Sequence, residues 1–171
     1  MTLLRLAPLL SSLASLASPA IADMPRSAGL LEFGPDNVLF VADSYDASIS
    51  AYVLTAEGSQ PVQDVAFNLL DLDPLVSSAL GSEGRLIYGD LAVHPVTRNA
   101  YVSVTARIDG VQTHEVVSIS RDGIVRRLDL AALFSSRFVL ENAADTNVTF
   151  WRDIPAPSLT ITDLDFANGE L

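Results

Sequence analysis

The residues with the clearest capacity for chemistry are carboxylates. Asp43 closes an apolar run, Asp46 follows three residues later, and Asp90 and Asp163 each open another apolar run. Asp71 and Asp73 stand between two such runs. Hard cations such as Ca²⁺ take several oxygen ligands of this kind, so Asp43, Asp90 and Asp163 are candidate metal ligands. Asp46 and His114 are candidates for a ligand-binding face. Each has a structural reading beside it. Asp73 suits a helix cap, Asp90 and Asp163 suit turn amides, and His94, before Pro95, suits a turn. Other chemistries lack their usual setting. The chain has no Asp-x-Asp-x-Asp-Gly calcium loop, no Gly-x-Ser-x-Gly elbow and no phosphate-cradling glycine loop. With no cysteine there is no disulfide, thiol nucleophile or thiolate metal site. Asn147-Val148-Thr149 is a glycosylation acceptor if the source is eukaryotic. Phe150 and Trp151 offer either a stacking surface or packing of their own link.

These side chains need a framework, and the sequence describes one twice. "GLLEFGPDNVLFVADS" (29–44) is a short strand, a turn and a second strand. "ASISAYVLTAEG" (47–58) alternates with period two and ends in a turn, and "VQDVAFNLL" (62–70) completes four strands. The order begins again at 87 with "IYGDLAVHP", "NAYVSVTARI" (99–108), "HEVVSISRDG" (114–123) and "IVRRLDL" (124–130). A third opening stands at "LTITDLDFANGEL" (159–171). Between units a phrase recurs: "LDLDPLVSS" at 70–78 and "LDLAALFSS" at 128–136 share six of nine letters. Asp73, Pro74 and Gly81 suit the cap, first turn and end of a short helix. "DPLVSSALG" is therefore expected to be an inter-unit helix, with "DLAALFSSR" as its counterpart.

The expected fold class is all-β. It is a partial β-propeller of two four-stranded antiparallel blades plus the start of a third, with short inter-blade helices. Blade one spans about 28–70, blade two about 86–130 and the start of blade three about 158–171. Alternation sorts the connections. "GPDN", "HPVTRN", "EGSQP" and "RDG" fall on a short-turn end, while "DSYDAS", "ARIDGVQTH", 70–86 and 130–158 fall on a long-loop end. Binding residues favour long loops on a rigid scaffold, which places the carboxylates and His114 on the candidate face.

"NVLFVADSYDASISAYVL", "GDLAVHPVTRNAYVSV", "VVSISRDGIVRRLDL" and "ITDLDFANGEL" together resemble secreted six-bladed TolB-like propellers. They are similar to the NHL and SMP-30/gluconolactonase groups over most of 28–171. The resemblance to the gluconolactonase group implies a divalent metal at the channel mouth with acid–base carboxylates. Where that group opens its first blade with Glu-Gly-Pro-x-Trp, this chain has Gly29-Leu30-Leu31-Glu32-Phe33. Its ligand position holds Gly29.

Composition sets the compartment and the partners. Residues 1–22 carry Arg5, an apolar stretch over 6–16 and Ala20-Ile21-Ala22, the pattern of a cleaved leader. The uncharged stretch 6–22 is diluted by serine and proline, short of the ~20 predominantly apolar residues of a spanning helix. A secreted or periplasmic domain over 23–171 is expected. The formal net charge is −11, becoming −12 without Arg5, and every basic residue is Arg. That balance argues against a nucleic-acid footprint and suits solubility or a cationic partner. Propellers close with ~4–8 blades, so the remaining blades are expected from a longer chain or from oligomerisation. Two functional readings follow. One is a binding or scaffold module acting on a small molecule or protein through the acidic long-loop face. The other is a Ca²⁺-type lactonase or esterase-like hydrolase.

Overall fold

The computed structural model describes residues 26–54, 69–141 and 143–171. The leader expected at 1–22 lies outside the described residues. So does the strand expected at 62–70, save Leu69 and Leu70, which are not in a strand.

The described chain is mostly β and built on two four-stranded antiparallel sheets. The first begins with β1 (Leu31–Phe33), β2 (Val38–Asp43) and β3 (Ser48–Val53). The second is an unbroken meander of β4 (Ile87–Val93), β5 (Ala100–Ile108), β6 (Val111–Ile119) and β7 (Val125–Arg127). Helix α1 (Asp73–Leu80) joins the sheets, and α2 (Leu130–Leu133) leads into β8 (Phe134–Val139). Strand β8 pairs with β3 and fills the fourth place of the first sheet. A two-stranded ribbon follows, β9 (Thr149–Phe150) with β10 (Ile154–Pro155).

Three expectations are corrected by these elements. "ARIDGVQTH" is not an irregular loop. β5 and β6 run on to Ile108 and Val111, joined by Asp109-Gly110 with φ of 50° and 77°. Both values are positive, as a two-residue type I′ hairpin requires, and Asp-Gly supplies them. The second copy of the repeated phrase is not a full helix. It makes four helical residues and then turns into strand. Proline and glycine frame α1 but have no equivalents in the second copy, and "FSSRFV" meets the open edge of β3, where Phe134 pairs with Tyr52. Their rings meet edge to face at 6.2 Å. Asp73 does not cap α1 either. It is the first helical residue, and its carboxylate accepts the Tyr88 hydroxyl at 2.6 Å. From 160 onward the only pairing among the described residues is a bridge between Ala167 and Glu170. Phe166 in this stretch stacks on Phe40 of β2.

Two apolar layers hold the sheets. Leu31, Leu39, Val41 and Tyr52 of the first sheet meet Ala92, Tyr101 and Val116 of the second across a common seam. Alternation along each strand sends the remaining side chains to the far faces. There Val102, Val104, Val117 and Ile119 are covered by Val76 and Leu80 of α1. These α1 residues are four apart and so share one side of the helix. Helix α1 leaves Tyr88, Leu91 and Val93 of β4 at 37%, 56% and 48% exposure. On this face Tyr88 pairs with Val104, Leu91 with Val102 and Val93 with Ala100.

Candidate functional site

Asp43 ends β2 and is buried. Its carboxylate accepts from the Arg26 amide at 2.6 Å, the Ser27 hydroxyl at 2.7 Å, and the Tyr45 and Asp46 amides at 3.1 Å each. Four donors match the lone-pair capacity of one carboxylate. Asp43 therefore holds the β2–β3 turn and ties residues 26–27 to it. Asp46, in the same turn, pairs with Arg26 at 3.1 Å and with Arg137 of β8 at 3.2 Å.

Asp90 joins the two sheets. Between the pairs Tyr88–Val104 and Leu91–Val102, two residues of β4, Gly89 and Asp90, stand against one of β5, Ser103. This bulge turns the Asp90 carboxylate toward β1, where it accepts the Leu31 amide at 2.9 Å; it also accepts the Leu91 amide at 2.8 Å. The fully buried Ser103 hydroxyl accepts the Asp90 amide and donates to the Gly29 carbonyl, both at 2.7 Å. Gly89 is needed beside this node, because a Cβ there would stand 2.5 Å from Ser103 Oγ. Asp163 is exposed and accepts the Leu164 amide at 3.0 Å.

His114 does not open a strand at a loop. It lies within β6, opposite Thr105, and its Nδ1 is 3.0 Å from Thr105 Oγ1. Burial lowers its pKa, while the charges of Asp43 and Glu115 act in the opposite sense. Asp43 and His114, both singled out in the sequence, therefore share an electrostatic environment. Among the described residues no group of three or more His, Asp or Glu side chains is placed to hold a metal ion. Glu115 is fully buried and forms a two-pronged ion pair with Arg127, at 2.8 and 2.9 Å.

At the other end of the seam is a cleft of about 250 Å³. It is lined by the turn between β4 and β5, by the end of β6, by β7 and by α2. Its floor is a row across the second sheet: Tyr101 pairs with Ser118, and Ser118 with Arg126. Tyr101 packs in the seam, so the whole row faces the first sheet. His94 borders the cleft and is buried. Its Nδ1 accepts the Val96 and Thr97 amides at 3.1 and 3.2 Å. Its ring centroid is 5.0 Å from that of Phe33, and burial lowers its pKa.

Sequence reasoning expected a site at the opposite end and missed this cleft. The alternation of "NAYVSV" and "VVSIS" signals that Tyr101 and Ser118 occupy one face each of their strands. It does not reveal that register sets them side by side. Comparison with known proteins gives no match to any family model, curated protein or solved structure.

Proposed function

We propose that this chain contributes two adjacent blades to a secreted or periplasmic β-propeller of the TolB-like kind, which binds or scaffolds rather than catalyses. The observation that carries the reading is the junction of β1 and β4. The first strands of two four-stranded antiparallel sheets lie side by side, and the Asp90 carboxylate bonds one to the other. Radial packing of blades needs neighbouring first strands of this kind. The leader-like residues 1–22 support the compartment. The uncovered Tyr88, Leu91 and Val93 support a further sheet against the second one, from more of the chain or from another copy.

The contact surface in this reading is the acidic loop end, and the partner is a small molecule or protein of positive charge. Asp43 and Asp90 are occupied by backbone amides, whereas Asp71 and Asp163 are exposed. A tetralysine peptide is expected to bind the protein in a salt-sensitive manner, weakened several-fold by Asp71→Asn with Asp163→Asn. Gluconolactone is expected to hydrolyse no faster than in buffer, with 1 mM CaCl₂ or with chelator. Hydrolysis that Ca²⁺ stimulates and Asp90→Asn abolishes would replace this reading with the metal-dependent hydrolase.

A further inference from the structure

We propose that the cleft at the short-turn end of the seam is a binding site for a small organic carboxylate. The site goes beyond the reading above, for it lies at the opposite end from the acidic loops and does not depend on a closed ring.

The argument starts with Arg126. It lies exposed at the end of the Tyr101–Ser118–Arg126 row, and its guanidinium makes no hydrogen bond or ion pair among the described residues. The carboxylates nearby are committed elsewhere. Asp129, which borders the cleft, accepts the Ala132 amide at 3.1 Å. Asp122, whose charge Arg126 feels, is hydrogen-bonded by the Ser120 hydroxyl. A guanidinium offers a planar fork that fits a carboxylate through two parallel bonds. In a chain of net charge −11 with only Arg as cation, an unpaired guanidinium facing a cleft is a specific feature.

The second point is the character of the other walls. His94 uses Nδ1 as an acceptor for two amides. A neutral imidazole carries its one proton on the other nitrogen, so the group His94 has left to offer is a donor, Nε2–H. The hydroxyl of Ser118 and the amide of Asn99 add polar partners, and Leu54 and Leu133 supply apolar wall. The second guanidinium of the lining, Arg127, is held by Glu115, and its one carboxylate, Asp129, is held by the Ala132 amide; the guanidinium of Arg126, the neutral donors and the apolar sides that remain suit an anion with a hydrocarbon body. They suit inorganic phosphate poorly, which calls for more charge. The volume of about 250 Å³ falls just below the ~300–1,000 Å³ of sites for drug-sized ligands, so the ligand is small.

The test is a titration of the ¹⁵N-labelled protein with benzoate, with benzamide as the uncharged isostere, and with inorganic phosphate. Benzoate is expected to shift the Ser118, Ser120 and Arg126 amides saturably. Benzamide is expected to bind at least tenfold more weakly, and phosphate not to saturate. Arg126→Gln should bring benzoate down to the affinity of benzamide with an unchanged thermal transition. Ala132→Trp, at an exposed position on the rim, should block benzoate and leave Arg126 intact. It keeps the test open if the Arg126 variant does not fold. The proposal is overturned if benzoate gives no saturable shift, if benzamide binds equally well, if phosphate competes with benzoate for the same amides, or if neither variant weakens binding. None of these results bears on tetralysine binding or on blade architecture, so the two readings fail separately.

Discussion

At the scale of single residues, three of the acidic side chains singled out in the sequence, Asp43, Asp90 and Asp163, act as backbone acceptors. The Asp90–Ser103 node is the strongest case, because both partners also serve the other sheet. Asp90→Ala removes the acceptor for the Leu31 amide, and Leu31 is only 3% exposed. A buried donor left unpaired costs about 1–3 kcal/mol. We expect a loss of about 2–3 kcal/mol by urea denaturation, with Asp90→Asn retaining part of it. A variant as stable as the parent would show that the carboxylate does not join the sheets. The histidines set a pH dependence. Burial lowers both pKa values from the ordinary 6.5. Below pH 6.5 the unfolded chain therefore takes up protons that the folded chain refuses, and acidification favours unfolding. The stabilisation is full above pH 6.5 and is lost as pH falls through that value toward the folded pKa, by up to about 1.4 kcal/mol per pH unit for each group. His94→Asn, which retains an acceptor for the Val96 and Thr97 amides, should flatten the stability profile between pH 7 and 5. An unchanged slope in the His94→Asn, His114→Asn double variant would refute the assignment.

At the scale of elements, what was legible followed from local chemistry, and what was not came from long-range pairing. Strands β2 to β6 follow their alternation, and α1 occupies the span that Pro74 and Gly81 delimit. Strand β8 was hidden because its partner, β3, lies about 85 residues earlier, and a shared phrase with α1 suggested helix. The Asp-Gly hairpin was legible in principle from "DG" between alternating runs, where turn chemistry outweighs the length of the connection. The acidic residues were legible by type, but not which amides would occupy them, since the donors to Asp90 come from two sheets. The cleft needed register as well as pattern. The role of α1 is directly testable. Leu80 is 5% exposed against Val102, Val104 and Ile119. Leu80→Ala should cost about 2–5 kcal/mol, as for large-to-small changes in a packed core. Guanidinium unfolding would show a lower midpoint at unchanged slope. A cost under 1 kcal/mol would mean that α1 does not cover the second sheet.

At the scale of the whole molecule, two forces oppose each other. The chain carries −11 net charge, and self-repulsion of that kind keeps copies apart while weakening the compact state. Against it, Tyr88, Leu91 and Val93 present an uncovered apolar strip on the second sheet, and such strips favour association. Salt changes the balance because the screening length shrinks from ~30 Å at 0.01 M to ~8 Å at 0.15 M. The surface pairs of Arg26 and Arg137 with Asp46 are each worth at most about 1 kcal/mol, and salt weakens them. Repulsion among the many unpaired carboxylates is screened at the same time and is the larger quantity. The melting temperature should therefore rise by a few degrees between 10 and 150 mM NaCl. Light scattering at 1 M NaCl should show association, because repulsion between copies is then lost while the apolar strip is unaffected. Leu91→Glu places a charge in the middle of that strip, and should abolish the association while keeping the rise in melting temperature. If salt instead lowered the melting temperature, the Arg–Asp pairs would outweigh the net charge. If Leu91→Glu associated as readily as the parent, the contact would lie on another face, and the support this strip lends to a further packed sheet would fall with it.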